Sequence, residues 1–233
     1  MASVQPSVEK PVRIAADGIS LDGDLAIPAG ARGLVVFAHG SGSSRHSQRN
    51  RAVAQSFRDA GLGTLLLDLL TREEDALDRR TAEFRFDIEL LANRVASTLE
   101  WLARQKETAG LRIGLFGAST GAAAALIAAS TGPQQVAAVV SRGGRPDLAG
   151  EALRHVTAPT LLIVGGRDHT VIELNRRALA ELSCERHLQI VPGATHLFEE
   201  PGTLDEVARF AGAWFSTHLL GKPTTHGPEE SRG

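Results

Sequence analysis

The chain has 233 residues, 42% of them hydrophobic and 22% charged, with a formal net charge of −2. That length suits one α/β domain with a sizeable core, and the charge balance excludes the basic footprint of a nucleic-acid binder or a polybasic membrane patch. The single cysteine, Cys184, excludes an internal disulfide, and eight Phe, two Trp and no Tyr argue against stacking platforms for bases or sugars.

Residues 1–11 read as a polar lead-in without the apolar core of a signal peptide. Val12–Ala15 and Leu21–Ile27 flank Asp17-Gly18 and predict an antiparallel edge hairpin. Gly33–Ala38 is a continuous apolar run, the mark of a strand buried on both faces, and it runs into the loop His39-Gly40-Ser41-Gly42-Ser43-Ser44. A helix is expected over Gln48–Ala60, a strand over Gly63–Leu67, and a periodic helix through Ile88, Leu91, Val95, Leu99 and Leu102.

The run Ile113–Phe116 ends at Gly117-Ala118-Ser119-Thr120-Gly121, after which an alanine-rich helix begins. Further strands are expected at Val136–Val140, Thr160–Val164 and Leu188–Val191. Helices are expected at Leu148–Arg154, Ile172–Leu182 and Thr203–Leu219. Strands alternating with helices predict an α/β fold: a mostly parallel twisted sheet, an antiparallel N-terminal edge hairpin, and helices on both faces. Residues 1–220 are read as one domain without a separate cap, and 221–233 as a disordered tail.

Ligands of such sheets bind beyond the carboxyl ends of the strands. His39, Ser119, Asp168 and His196 each fall at or just past a strand end and are expected on one edge. A serine at the apex of a strand–turn–helix has its hydroxyl pushed out of the sheet, and the helix N-terminus favours an anion beside it. Such a serine needs a base and the base an orienting acid, roles that His196 and Asp168 can fill. Asp147, in the loop after the preceding strand, is the rival acid. The backbone N–H groups of Ser41 and Thr120 are the expected oxyanion donors, with Gly42 second. No phosphate-loop motif occurs in the right context, and the histidines lack metal-ligand spacing, so no cofactor and no metal are expected.

The segments VVFAHGSGSSRHS, LLLDLLT, GLFGASTGAAAAL, VVSRGGRPDLAG, LLIVGGRD and IVPGATHLFEEPG together resemble an α/β-hydrolase, within it the dienelactone-hydrolase-like group of small serine hydrolases. The resemblance runs from Leu34 to Phe215 and implies that nucleophile, acid and base fall on Ser119, Asp168 and His196. Dienelactone hydrolases proper carry cysteine at the nucleophile, so Ser119 is a departure, one that favours a general carboxylesterase.

The expected function is therefore hydrolysis of small carboxylic esters through an acyl-enzyme. Lactonase and thioesterase chemistries are the alternatives, and a non-catalytic binding module is the rival from another class. Pocket residues are sought in Leu70, Phe86, Leu197 and Phe198, and the charged stretch Thr71–Arg85 is either a solvated helix or a flap. Arg142 and Arg145 flank two glycines at a strand end, where either could bind a substrate anion or pair locally with Asp147 or Glu151. The expected setting is cytoplasmic, as a monomer or small homo-oligomer, with no membrane or nucleic-acid partner.

Overall fold

A computed structural model describes residues 7–131 and 136–220; the expected disordered tail at 221–233 lies outside the described residues. The strands are β1 (Val8–Ala16), β2 (Ile19–Ile27), β3 (Gly33–Ala38), β4 (Gly63–Leu67), β5 (Arg112–Ala118), β6 (Val136–Arg142), β7 (Thr160–Gly165) and β8 (Arg186–Val191). The helices are α1 (Gln48–Asp59), α2 (Arg72–Thr81), α3 (Ile88–Arg104), α4 (Thr120–Thr131), α5 (His169–Glu181) and α6 (Thr203–Leu220). They build one eight-stranded sheet in the order β1-β2-β4-β3-β5-β6-β7-β8. β1, β2 and β4 pair antiparallel, and every pair from β4 onward is parallel.

Two apolar cores cover the two faces of the sheet. Leu34 and Val36 of β3 join the cluster under α3 and α4, whereas Val35 and Phe37 join the cluster under α1 and α6. This is the period-two alternation of a strand buried on both sides, the reason its sequence shows no polar face. The α1/α6 side is built on Phe37, Phe57, Phe116 and Phe215, whose rings meet edge-on or tilted at 4.9 to 5.9 Å. The α4 side is packed by small residues. Ala122–Ala125 are all buried, which lets that helix lie close to β5.

Several element boundaries differ from the sequence reading, and four of them have a clear physical reason. β1 starts at Val8 because Val8–Pro11 pairs with Asp24–Ile27 at the sheet edge, where a proline and a polar outer face are tolerated. β8, the opposite edge, likewise extends back to Arg186. β6 runs on through Arg142, so that residue belongs to a strand and not to the loop. Pro146–His155 is a 3-10 segment broken at Gly150 (φ 51°), in place of a regular helix.

Candidate active site

β5 ends at Ala118, α4 begins at Thr120, and Ser119 alone makes the turn with φ +50°, a conformation few non-glycine residues adopt. The flanking glycines are obligatory. A Cβ on Gly117 would lie 2.4 Å from the Ala122 Cα, and one on Gly121 would lie 2.3 Å from the Ala38 carbonyl oxygen. The Ser119 hydroxyl makes no hydrogen bond within the described residues. It opens into a cleft of about 230 Å³ shared with Gly40, Ser41, Arg142, His196 and Leu197.

Asp168 stands at the N-cap position of α5, where an aspartate ordinarily accepts a hydrogen bond from the first turn. Its carboxylate makes no such bond. Oδ2 instead takes the His196 Nδ1–H at 2.7 Å. The two loops that carry this pair are stitched together by their backbones: Gly166 N–H donates to the Val191 carbonyl at 2.8 Å and Arg167 N–H to the Ala194 carbonyl at 2.9 Å. With Nδ1–H given to the acid, His196 Nε2 is left as the ring's acceptor. No hydrogen bond joins Nε2 to the Ser119 hydroxyl in this state, although both residues line the same cleft.

Thr120 is the first residue of α4, so its N–H has no carbonyl one turn back to bond. The Ser41 and Thr120 hydroxyls meet at 3.0 Å, tying the loop after β3 to the turn after β5. Gly42, at φ +68°, turns that loop on the side facing a second cleft. His39, expected from sequence at a strand end on the same edge as Ser119, is a clip. Its Nδ1–H donates to the Gly40 carbonyl at 2.9 Å, while Nε2 accepts the Leu69 N–H at 3.0 Å. Both bonds require a neutral ring, and burial holds its pKa below the ordinary histidine value.

Several expected site residues lie elsewhere. Phe198 does not face the cleft. Its φ of +56° turns the ring into the α1/α6 core, where it is 2% exposed. Phe86 is 63% exposed and lines neither cleft, whereas Leu70 lines the second one and Leu197 the first. Arg145 is held by a bidentate contact to Asp147, with Nε and Nη2 at 2.9 and 2.8 Å, and it lines neither cleft. Asp147, the rival acid, is thereby committed to Arg145 and not to His196.

Arg142 does reach the Ser119 cleft, and there it bonds neither Asp147 nor Glu151. Its Nη2–H donates to the Asn50 side-chain oxygen at 3.0 Å. The stretch Thr71–Arg85 is a clamped helix and turn in place of a flap. Asp78, buried, accepts from the Phe84 and Arg85 N–H groups and from Arg85 Nε at 2.7 to 2.9 Å. Among the described residues there is no cluster of His, Cys, Asp and Glu that could hold a metal, and no helix is long and apolar enough to cross a membrane.

Comparison with known proteins adds four findings. The model of the dienelactone hydrolase family matches residues 21–217. A dienelactone hydrolase structure from Anabaena variabilis is 54% identical and superposes with a TM-score of 0.90, covering 92% of this chain and all of the other. Est1E from Butyrivibrio proteoclasticus, at 15% identity and a TM-score of 0.75 over 91% of this chain and 99% of its own, shares the fold. Among curated proteins, one from Mycobacterium tuberculosis named a phosphoribosyl transferase is 56% identical over 220 residues, 94% of this chain. The chain spans about half (49%) of that relative's length.

Proposed function

The chain belongs to the dienelactone hydrolase family, and from that premise we propose that it is a serine hydrolase that cleaves small carboxylic esters through an acyl-enzyme. One observation carries the reading. An aspartate at a helix N-cap forgoes its capping bond to hold a histidine that shares a cleft with a serine kept at positive φ. Each half of that arrangement costs stability that an inert protein would have no reason to bear.

In this mechanism the Ser119 Oγ attacks the ester carbonyl carbon while His196 Nε2 takes its proton. Asp168 keeps the ring in the Nδ1–H tautomer and stabilises the imidazolium. The carbonyl oxygen becomes an oxyanion, bound by the N–H groups of Ser41 and Thr120; each such donor contributes about 3 kcal/mol to the transition state. Collapse breaks the bond to the alkoxy oxygen, which leaves with the proton from His196. Water then attacks the acyl-enzyme, giving its proton to Nε2, and Ser119 recovers its hydroxyl as the acid departs. His39 acts through the loop. By holding the Gly40 carbonyl at its own Nδ1–H, it fixes the peptide that precedes Ser41.

Lactone opening is a second reading, favoured by the 54% identical relative that is named a dienelactone hydrolase. The same acyl-enzyme serves, with the leaving alkoxide still tethered to the acyl group. Ser119→Ala should lower kcat/KM for p-nitrophenyl acetate by about 10⁴-fold or more, and a fluorophosphonate should label Ser119 and no other residue. Turnover by the variant close to that of the unmodified protein would end the proposal. A panel of linear esters, thioesters and five-membered lactones ranks the substrate classes.

A further inference from the structure

Arg142 is a cation in a place where a cation ordinarily has a counter-ion. It is 7% exposed, no carboxylate approaches it among the described residues, and its one hydrogen-bond partner is the neutral amide of Asn50. Its Nε is buried without a partner. Beneath it lies the ring of Phe198, 6.0 Å from the guanidinium carbon, which supports a positive charge without neutralising it. Burial, and then the nearby charge of Arg49, bring its pKa down to about 10, so it stays charged at neutral pH. Uncompensated buried charges are costly and rare.

The second arginine is matched only at its outer end. Arg49 lines the cleft with Arg142, Ser119 and His196, and its Nε is also buried without a partner. Its single carboxylate contact, Nη1 to Glu199 at 3.1 Å, is at the surface. Both arginines meet at the start of α1, a helix of 12 residues with no acidic residue in its first turn. Ser47 caps it by accepting the Asn50 N–H, which leaves the Ser47 hydroxyl hydrogen free to donate into the cleft. Two guanidinium groups, a helix N-terminus and a free hydroxyl thus face one space beside the nucleophile, and no anion among the described residues fills it.

We propose that Arg142, Arg49 and the first turn of α1 form a subsite for a phosphate monoester carried on the leaving alcohol of the substrate. This rests on the hydrolase reading for its place in the reaction. His196 returns the proton to the leaving oxygen and lines this same cleft, so the alcohol portion lies here. Charge decides between anions. Glu199 meets Arg49 at the surface, where solvent screens the pair, so inside the cleft a carboxylate neutralises one of two mutually repelling guanidinium groups, whereas a phosphate dianion also meets the second and has oxygens enough for the hydroxyl and the helix N–H groups.

The test compares three acetyl esters that differ only in what the alcohol carries: 2-acetoxyethyl phosphate, 3-acetoxypropionate and the neutral 2-acetoxyethanol. The unmodified protein should prefer the phosphate over the neutral ester by about 100-fold in kcat/KM, with the carboxylate between them. That preference should fall by about tenfold or more in R142Q and by a smaller factor in R49Q, a rim residue whose replacement leaves the core untouched. A preference within twofold of unity, or one unchanged in R49Q and R142Q, would overturn the subsite, as would a carboxylate ester that outpaces the phosphate. Calorimetric titration with inorganic phosphate, weaker for R49Q than for the unmodified protein, reads the subsite without turnover. Fluorophosphonate labelling of Ser119 reads the hydrolase separately, so either idea can fail while the other stands.

Discussion

The loop His39–Ser44 has a cleft on each side, and the two clefts treat charge in opposite ways. In the one bounded by Leu69, Leu70 and Leu91, every charged residue on the wall has an ionic partner: Asp68 with Arg45, Arg72 with Asp22, Asp75 with Arg79, and Arg85 with Asp78. In the one that holds Ser119, a buried arginine has none among the described residues, and an aspartate is spent on a histidine in place of its own helix. Both walls come from loops at the same sheet edge. The first is finished as it stands, and its charges serve the fold. The second lacks a partner of its own making, which is the condition of a site that takes one from solution.

The finished side can be broken first, and there the largest effect is expected. Glu74 closes the capping box of α2 with Thr71, and it also accepts from Nη1 and Nη2 of the buried Arg94, each at 2.6 Å. Arg94 in turn donates to the Leu69 carbonyl at 2.7 Å, and the Leu69 N–H is the group that His39 accepts. Hydrogen bonding to Arg94 holds the Glu74 carboxyl below its usual pKa. Glu74→Gln leaves a buried guanidinium without a counter-charge and should cost about 2 kcal/mol, read from urea unfolding; Glu74 is partly exposed, which keeps the loss below that of a fully buried pair. A change under 0.5 kcal/mol, on the order expected of a surface pair, would show that the paired cleft is no more rigid than the open one.

How much of this contrast was legible beforehand depends on the range of the interaction that fixes each residue. The turn at Ser119 could be read because its cause is local: a strand, two glycines and a small-residue helix within one short stretch. Asp168 and His196 could be placed because each closes a strand in a parallel sheet. The fates of Arg142 and Arg145 could not be told apart, since both flank the same two glycines, while the partner of Arg142 is Asn50, 92 residues away. Phe198 sits next to a histidine and read as a pocket wall, but its inward turn follows from a positive φ that phenylalanine rarely adopts. His39 bonds only backbone groups, one of them from another loop, and backbone groups carry no signal in the sequence. Thr71 and Glu74 carry a signal that went unread, the T-x-x-E spacing of a capping box, which marks a helix start.

His39 gives a smaller effect that follows pH. Its folded pKa is depressed by burial, so the folded state resists a proton that the unfolded chain accepts near 6.5. The stabilisation is complete above about 6.5 and is lost as pH falls through the folded value. The slope contributed by one such group is at most about 1.4 kcal/mol per pH unit. Unfolding free energies measured from pH 8 down to 5 should therefore fall more steeply for the unmodified protein than for His39→Asn, which cannot titrate. Parallel curves would mean that the ring is not held neutral, and the clip between the two clefts would lose its basis.

The smallest effect is expected at Arg145, and it sharpens the contrast most. Arg145 and Arg142 carry the same charge three residues apart, so composition and net charge change equally when either is removed. Arg145 gives its guanidinium to Asp147 at the surface, an arrangement worth about 0.5 kcal/mol. Arg145→Ala should therefore shift the unfolding midpoint little and leave the ratio of activity on anionic to neutral esters as it was. If the ratio instead dropped as far as it does in R142Q, the preference would be a matter of overall positive potential at the sheet edge. The absence of a counter-ion at one buried arginine would then have no functional meaning. An unchanged ratio assigns the preference to Arg142, the buried guanidinium that has no counter-ion among the described residues.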